Sequence, residues 1–188
     1  MYKLAAFVLL GVSPVLAQGP FRRSVNEHAN NLAPFVSSPQ IVVDKMLEVA
    51  GLKRNEVLYD LGSGDGRVLI AAAQKYGVRG VGVEISEVLV KATENRLRQL
   101  KLDDRVRVMH GDIMTVDLSQ ADVVTMYLET KSNEMLKPRL EKQLRPGARV
   151  ISHDFEVRGW KPNRVELIKA FNRPHKVYIY EMPPRPAN

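Results

Sequence analysis

Residues 57–67 read VLYDLGSGDGR, an apolar run followed by an aspartate, three glycines at alternate positions and an arginine. An apolar segment of strand length that ends in glycines and leads into a helical pattern is typical of the first strand–turn–helix unit of a doubly wound α/β sheet. Glycine allows the backbone to turn sharply and to approach a ligand closely. The stretch therefore predicts a nucleotide-like ligand at this turn.

The spacing of the glycines indicates which ligand. Dinucleotide sites use G-x-G-x-x-G, whereas this turn reads G-x-G-x-G and has Arg67 where the third glycine would stand. Asp60 and Asp65 would also repel a pyrophosphate at the helix N-terminus. S-adenosylmethionine fits better, because it carries a sulfonium and an ammonium and no phosphate. The predicted cofactor-binding residues of the turn are Asp60, Gly62, Ser63, Gly64, Asp65 and Gly66. A nicotinamide oxidoreductase is the remote alternative.

Two more carboxylates follow the next two predicted strands. Glu84 ends the second strand, and a carboxylate there can accept hydrogen bonds from both ribose hydroxyls. Asp112 follows the third strand and can accept the adenine amino group, with Ile85 and Ile113 packing on the ring faces. The alternatives are a surface glutamate and a turn aspartate.

Strands and helices alternate over most of the chain. Strands are predicted over 57–61, 80–84, 105–110, 122–127 and 149–153, and further strands over 165–171 and 176–181. The helices between them include one with Ser38 as N-cap and Pro39 at N1, and one that Pro138 splits in two. A turn at 172–175 joins the last two strands. The pattern predicts a doubly wound, mostly parallel seven-stranded sheet with a C-terminal antiparallel hairpin, a Rossmann-like fold.

Composition narrows the classes of site. The chain has 188 residues, a net charge of +7 and no cysteine. One domain with a sizeable core is expected, and the scattered basic residues indicate a solvated surface rather than a nucleic-acid site. Disulfides, zinc–thiolate sites and thiol nucleophiles are excluded. The four histidines show no metal-ligand spacing, so no metal is predicted.

The N-terminal residues form a separate segment. Residues 1–17 have a lysine, a short apolar run and small residues at their end, which is typical of a cleaved signal peptide. An uncleaved anchor and a misassigned start codon are the alternatives. A signal implies an exported or membrane-anchored protein, with membrane contact through this segment only, whereas a cofactor made in the cytoplasm implies a cytoplasmic one. We divide the rest into a lead-in (18–38) over the cofactor site, a catalytic domain (39–182) and an extended tail (183–188).

From Val57 to Asp154 the chain resembles the class I S-adenosylmethionine-dependent methyltransferases. The run 58–67, preceded by Pro34-Phe35-Val36 and a helix, is similar to the lysine methyltransferases of the ATP synthase c-subunit and the adenine nucleotide translocase, and to their bacterial relatives. That family is related to the non-SET histone lysine methyltransferases. The resemblance implies that residues 34–36 lie over the cofactor at the substrate entrance. The segment Leu128-Glu129 departs from the family pattern.

The resemblance implies N-methylation of a protein lysine by in-line transfer. A lysine with a pKa near 10.4 is only about 0.1% neutral at pH 7.4, a penalty of roughly 4 kcal/mol, which a dry aromatic channel reduces. We predict Phe35, Tyr127 and Trp160 as channel walls, and Glu129 and Asp154 as groups that orient the incoming ammonium. Tyr127 and Trp160 could instead pack in the core, and His153 is expected to be a structural residue.

Other acceptors remain open. The stretch 126–129 reads MYLE and lacks the (Asn/Asp)-Pro-Pro-(Tyr/Phe) segment of enzymes that methylate base amines, so nucleic acid is disfavoured. A small-molecule O- or N-methyltransferase and a non-catalytic cofactor-binding protein are the alternatives. The sequence does not indicate an oligomeric state.

Overall fold

The computed structural model of the protein describes residues 36–183 and 185–186. The helices are α1 (Gln40–Val49), α2 (Arg67–Tyr76), α3 (Glu87–Gln99) and α4 (Thr130–Gln143). The strands are β1 (Val57–Leu61), β2 (Arg79–Glu84), β3 (Val106–His110), β4 (Val123–Met126), β5 (Arg149–His153), β6 (Trp160–Lys161), β7 (Arg164–Ala170), β8 (Arg173–Glu181) and β9 (Arg185–Pro186). Residues 1–17, most of the lead-in and Phe35 lie outside the described residues.

Seven strands form one sheet in the order β3-β2-β1-β4-β5-β8-β7. The five strands from β3 to β5 are parallel, and β8 joins β5 in the antiparallel sense. The order in which the chain adds strands reverses at β1, because β2 and β3 lie on one side of it and β4 and β5 on the other. The carboxyl ends of β1 and β4 therefore flank a topological switch point, where such sheets bind ligands. The predicted mostly parallel sheet with a C-terminal hairpin is confirmed.

Alternate residues of each strand pack against helices on opposite faces of the sheet. Leu58, Val123 and Ile151 belong to the core cluster that includes α1, α2 and the buried face of α3. Their neighbours Tyr59 and Val124 belong to the other cluster, which includes the buried side of α4. Both faces are covered, and this explains why the central strands read as continuous apolar runs.

Two glycines permit the close packing that shapes the turn after β1. Gly66, at the start of α2, has φ +72°, a conformation that favours glycine. A Cβ on Gly82 of β2 would lie 2.6 Å from the Oγ of Ser63 and 2.7 Å from Cδ1 of Leu69. The turn and α2 can therefore approach β2 only because this strand position has no side chain.

Helix α4 is continuous through Pro138, so the predicted split is wrong. Pro138 lies on the exposed side of the helix, while Leu136 and Leu140 are fully buried against the sheet. The carbonyl that loses its hydrogen bond to proline therefore faces solvent, and packing of the apolar side holds the helix together.

The C-terminal hairpin has a tighter turn than predicted. Ala170 pairs with Arg173, so only Phe171 and Asn172 form the turn. Both have positive φ, 46° and 60°, as expected for the two-residue turns that match strand twist. The four-residue turn predicted at 172–175 is wrong, because residues 173–175 already belong to β8.

The structure adds contacts at both ends of the domain. Ser38 does not cap α1, whose N-cap is Pro39, because the Ser38 hydroxyl is hydrogen-bonded to the Nδ1 of His153 at 2.8 Å. Within the predicted extended tail, the backbone of Arg185–Pro186 pairs with β6. Among the described residues, no helix is both long enough and apolar enough to cross a bilayer.

Candidate functional site

The turn between β1 and α2 is held by its own backbone. The N–H groups of Gly62 and Ser63 both donate to the carbonyl of Val83 on β2, at 2.9 and 3.1 Å. Gly62, Gly64 and Gly66 all have positive φ. The buried Oγ of Ser63 has no hydrogen-bond partner. A rigid cradle with an unused polar atom fits a polar ligand lying over the glycines.

Asp60, the fourth residue of β1, is buried at 5% exposure. Its carboxyl group accepts a hydrogen bond from the Oγ1 of Thr125 on β4, at 2.7 Å. Burial raises the pKa of Asp60 to about 7, and the charges of Glu84 and Asp65 act in the same direction. A buried carboxyl group with an elevated pKa is a site that a cationic ligand would stabilise in its ionised form.

Asp65 is neutralised within the turn. Its carboxylate forms a fork with Arg67, with an Oδ2–NH2 distance of 2.6 Å, and this hydrogen bonding lowers the pKa of Asp65. Arg67 also donates to the backbone carbonyl of Ser38 at 2.7 Å. The pair therefore ties the turn to the segment before α1, and the charge of Asp65 is less available to a ligand than the sequence suggested.

Glu84 closes the turn from the end of β2. Its Oε2 accepts the N–H of Gly64 at 2.8 Å, and its Oε1 accepts the N–H of Ser86 at 2.9 Å. A carboxylate offers about four lone-pair positions, so each oxygen can accept one more hydrogen bond. Both oxygens are fixed by backbone donors, as a recognition group for two adjacent hydroxyls requires.

The residues after β3 lie beside Glu84, since His110 pairs with Glu84 across the two strands. Asp112 accepts the N–H of Met114 at 2.8 Å, so it shapes the turn whatever else it binds. Ile85 is half-buried, whereas Ile113 is 7% exposed and packs in the core cluster with α4. The structure brings Ile85 and Asp112 to the predicted edge and draws the Ile113 side chain into the core.

A second group of polar side chains lies at the ends of β4 and β5. Tyr127 follows β4, and its ring centroid is 3.9 Å from that of His153, the last residue of β5. The Tyr127 hydroxyl donates to Oδ2 of Asp154 at 3.4 Å. His175 reaches the same carboxylate from β8, with Nδ1 3.0 Å from Oδ2. Arg173 donates to that oxygen at 2.9 Å.

Ionisation in this group follows from burial and neighbours. Burial lowers the pKa of His153 to about 4, so its imidazole is neutral. Burial alone would raise the pKa of Asp154, but the N–H of Lys176 and the two imidazoles hold it below its ordinary value. Burial raises the pKa of the Tyr127 hydroxyl. The group at neutral pH is therefore a neutral phenol and a carboxylate compensated by the Arg173 guanidinium.

A cleft of about 370 Å³ opens beside these side chains. Its walls are residues before α1, the phenol after β4 and the hairpin end: Val36, Ser37, Pro39, Tyr127, Phe171, Arg173 and His175. Val36 and Phe171 are exposed, at 56% and 86%. The cleft is thus apolar at its mouth and polar at its base.

Three predicted acceptor-site residues have different outcomes. Phe35 lies outside the described residues. Glu129 is exposed at the start of α4 and makes no side-chain capping hydrogen bond. The structure does not bring Trp160 to the cleft: it is 4% exposed, packs edge-on against Tyr180 at 5.3 Å, and donates from Nε1 to Glu141. Its core role, left open by the sequence, is the one observed.

Sequence reasoning missed Ser38, Arg173 and His175 as members of the site. His175 stands 22 residues after His153, and only the antiparallel pairing of β5 with β8 brings their rings within a centroid distance of 5.0 Å. No local spacing indicates that contact. Alternation along β8, which places His175 and Val177 on the same buried face, is the only signal that points inward.

Comparison with known proteins identifies the family. Residues 60–164, more than half of the chain, match the family described as the ANTKMT methyltransferase domain. A protein-lysine N-methyltransferase of Saccharolobus islandicus (strain REY15A) is 45% identical over 148 residues, covering 78% of this chain and 92% of that protein. The human lysine N-methyltransferase of the ATP synthase c-subunit is 31% identical over 132 residues. That match covers 70% of this chain and 56% of the human protein, so the chain spans little more than half of the human relative's length.

A solved structure supports the same family assignment. The crystal structure of an RNA methyltransferase from Salinibacter ruber in complex with S-adenosyl-L-homocysteine superimposes with a TM-score of 0.74 and 43% sequence identity. The match covers 79% of this chain and 94% of that one. With the glycine turn, the buried Asp60 and the anchored Glu84 at the switch point of the sheet, these matches show that the chain belongs to the ANTKMT methyltransferase domain family and is an S-adenosylmethionine-dependent methyltransferase.

Proposed function

We propose that this methyltransferase N-methylates a lysine side chain of a protein. The observation that carries the proposal is the half-buried carboxylate of Asp154, which is hydrogen-bonded to two residues of the cleft wall, Tyr127 and Arg173. The names of the archaeal and human relatives, both lysine N-methyltransferases, support the same acceptor.

The cofactor would lie along the carboxyl ends of β1, β2 and β3. The cofactor, when bound, supplies a methyl group activated by the sulfonium. Asp60 faces its ammonium, Glu84 accepts the ribose hydroxyls, and Asp112 accepts the adenine amino group, with Ile85 against the ring. The backbone around Gly62, Ser63, Gly64, Asp65 and Gly66 forms the floor.

Arg173 marks where a substrate cation would bind. Its guanidinium donates to Asp154 at 2.9 Å and to the Tyr127 hydroxyl at 3.3 Å, although its own side chain is 57% exposed. An ammonium entering the cleft can replace these hydrogen bonds while the arginine returns to solvent. Exchange of one cation for another leaves the carboxylate paired throughout.

The acceptor nitrogen must also lose a proton before it can accept a methyl group. Desolvation favours the neutral amine and a carboxylate favours the ammonium. Tyr127 is half-buried in the wall of the cleft, and this burial raises the pKa of its hydroxyl. We propose that Asp154 binds and orients the ammonium at the base and that the aromatic wall lowers its pKa. Glu129, exposed two residues after Tyr127, is a proposed contact for the protein substrate.

The experiment is methyl transfer from labelled S-adenosylmethionine to cell protein and to total RNA in parallel, with hydrolysis of the labelled protein. We expect labelled methyllysine. Asp154→Asn should lower kcat/KM by about 10- to 100-fold, that is by roughly 1.5–3 kcal/mol for a hydrogen bond to a charged group, without changing cofactor affinity. Asparagine suits the test because residue 154 has φ 60° and asparagine tolerates that conformation. The exposed Glu156→Gln is the matched control.

RNA is the second candidate acceptor, favoured by the description of the Salinibacter structure. Label found in RNA and absent from protein would refute the lysine proposal. Label found only in a small-molecule pool would instead support a small-molecule acceptor.

A further inference from the structure

Three atoms of metal-ligand type converge beside the cleft, and the proposed methyl transfer uses only one of them. Nε2 of His153 lies 2.9 Å from Nδ1 of His175. Oδ2 of Asp154 lies 3.0 Å from that Nδ1 and 3.5 Å from Nε2 of His153. The two imidazoles are 0% and 2% exposed. Two buried histidines facing one carboxylate oxygen require a physical explanation.

The hydrogen bonds among these three side chains depend on which ring nitrogens carry protons. Each imidazole nitrogen carries either one proton or one lone pair in the ring plane. The Nδ1 of His153 is already engaged by the hydroxyl of Ser38. The Nδ1 of His175 has two neighbours within 3.0 Å and can make one good in-plane bond. A proton on Nδ1 of His175 can serve Oδ2 of Asp154 or Nε2 of His153, but not both with good geometry. A proton on Nε2 of His153 instead leaves Nδ1 of His175 and Oδ2 of Asp154 as two acceptors 3.0 Å apart.

Arg173 supplies positive charge without resolving the conflict. Its Nε lies 3.2 Å from Nε2 of His175, and its NH2 lies 3.3 Å from Nδ1 of the same ring. The in-plane lone pairs of the two ring nitrogens diverge, so one planar guanidinium can reach both only across the ring face. Nδ1 also lies within 3.0 Å of both His153 and Asp154.

We propose that His153, His175 and Asp154 form a binding site for a divalent transition-metal ion such as Zn²⁺. Zinc binds imidazole nitrogen and carboxylate oxygen at about 2.0–2.2 Å, which puts tetrahedral ligand atoms about 3.3 Å apart. The three observed separations, 2.9, 3.0 and 3.5 Å, bracket that value. An ion at this distance would lie roughly 1 Å outside the plane of the three atoms.

The surroundings of the three atoms also suit a metal. Metal-bound imidazoles usually hydrogen-bond through their other nitrogen, which fixes the ring, and Ser38 does so for His153 at 2.8 Å. Two nitrogens and one oxygen favour Zn²⁺ or Co²⁺ over Mg²⁺ and Ca²⁺. The fourth coordination position would face the cleft, whose wall includes His175 and Arg173. The site is thus open to water or to a group of the acceptor.

Arg173 would compete with the ion. Its guanidinium occupies the same carboxylate oxygen, and two cations cannot share that oxygen at full strength. Because its side chain is largely exposed, the arginine can leave without a folding cost. The metal therefore replaces a cation already present, and removal of the arginine charge should tighten metal binding.

The test is calorimetric titration of the untagged full-length protein with Zn²⁺, together with the visible absorption of the Co²⁺ form. We expect one ion per chain and a tetrahedral Co²⁺ spectrum. Asp154→Asn and His175→Gln should each weaken binding at least about 100-fold, and Ser38→Ala about 10-fold. Arg173→Gln should tighten it several-fold. The exposed His110→Gln is the matched control and should bind as the parent does.

A metal ion and a substrate ammonium would compete for Oδ2 of Asp154. Metal binding is measured here without cofactor or acceptor, so this inference can fail while the proposed function holds. Absence of stoichiometric binding by the parent would overturn it, as would an octahedral Co²⁺ spectrum. Binding that survives Asp154→Asn in a variant with native circular dichroism would overturn it too. If His175→Gln fails to fold, Ser38→Ala and Arg173→Gln still decide, because the proposal requires that they change the affinity in opposite directions.

Discussion

Replacement of Asp60 by asparagine is expected to stabilise the cofactor-free protein above pH 7 and to weaken its binding of S-adenosylmethionine. The native carboxyl group is buried and has a pKa of about 7, raised from 3.8 mainly by loss of solvent. Between these values the folded state binds more protons than the unfolded state. Stability therefore falls as pH rises from about 4 to 7, and the loss is complete above that range.

The magnitude follows from the size of the pKa change. One pKa unit corresponds to about 1.36 kcal/mol, so a rise from 3.8 to about 7 costs at most roughly 4 kcal/mol of stability at alkaline pH. The variant avoids this cost and keeps an acceptor for the Thr125 hydroxyl. Its stability gain over the parent should grow by roughly 3 kcal/mol between pH 5 and pH 8. Urea unfolding at the two pH values measures the gain, with the exposed Asp103→Asn as control.

Cofactor binding should show the opposite effect. An ammonium placed near Asp60 stabilises the ionised carboxylate, so complex formation at pH 6.5 should release a proton, which calorimetry in buffers of different ionisation enthalpy detects. Affinity should rise towards pH 7 and fall again as α-amino groups deprotonate near 7.7–8.0. Asp60→Asn should lose the rising limb. A pH-independent stability gain, or unchanged cofactor affinity, would refute the role given to Asp60.

Three other substitutions test the packing and the site. Gly82→Ala should cost about 1–3 kcal/mol of stability, measured by thermal unfolding, because the new methyl group would meet Ser63 and Leu69 at under 3 Å; an unshifted midpoint would contradict the packing argument. Glu84→Gln should weaken cofactor binding by about 1.5–3 kcal/mol, and calorimetry that finds parental affinity would remove it from the ribose site. Trp160→Phe should lower stability while kcat stays unchanged, since Trp160 lies in the core; a selective loss of kcat would return it to the acceptor channel.

The candidate cofactor edge could be outlined from the sequence because the position of the strand ends depends on strand order alone. Carboxyl ends of parallel strands meet at one edge of the sheet, so residues that follow consecutive strands become neighbours whatever the details of packing. Asp60, Glu84 and Asp112 are placed by this rule. Strand order does not determine side-chain directions. The Ile113 side chain packs in the core cluster that includes α4, which sequence order alone does not indicate.

The acceptor side could not be predicted in the same way, since it depends on register. His175 reaches His153 because the hairpin turns through two residues and pairs Ala170 with Arg173. With the predicted four-residue turn, His175 would lie in the turn itself and away from β5. A shift of one residue in strand register moves every side chain to the opposite face of the sheet. A small error in the predicted turn is therefore enough to miss the contact between His153 and His175. The position of Trp160 could not be predicted for a related reason, because its partners Glu141 and Tyr180 come from distant segments of the chain.

The contacts of the turn change the reason why a pyrophosphate is excluded. The sequence argument used the charges of Asp60 and Asp65, but Asp65 is paired with Arg67 and Asp60 is half protonated near pH 7. A phosphate cradle also needs free backbone N–H groups at the helix N-terminus. In this turn the N–H groups of Gly62 and Ser63 donate to Val83, and that of Gly64 donates to Glu84. The N–H of Gly66 donates to Ser63, and that of Arg67 donates to Asp65. These five donors are used to build the turn and not offered to a phosphate, and Glu84 presents acceptors. The turn therefore favours a ligand that brings its own hydroxyl donors and positive charge. For the exclusion of a pyrophosphate, the missing third glycine is less important than the engagement of these N–H groups within the turn.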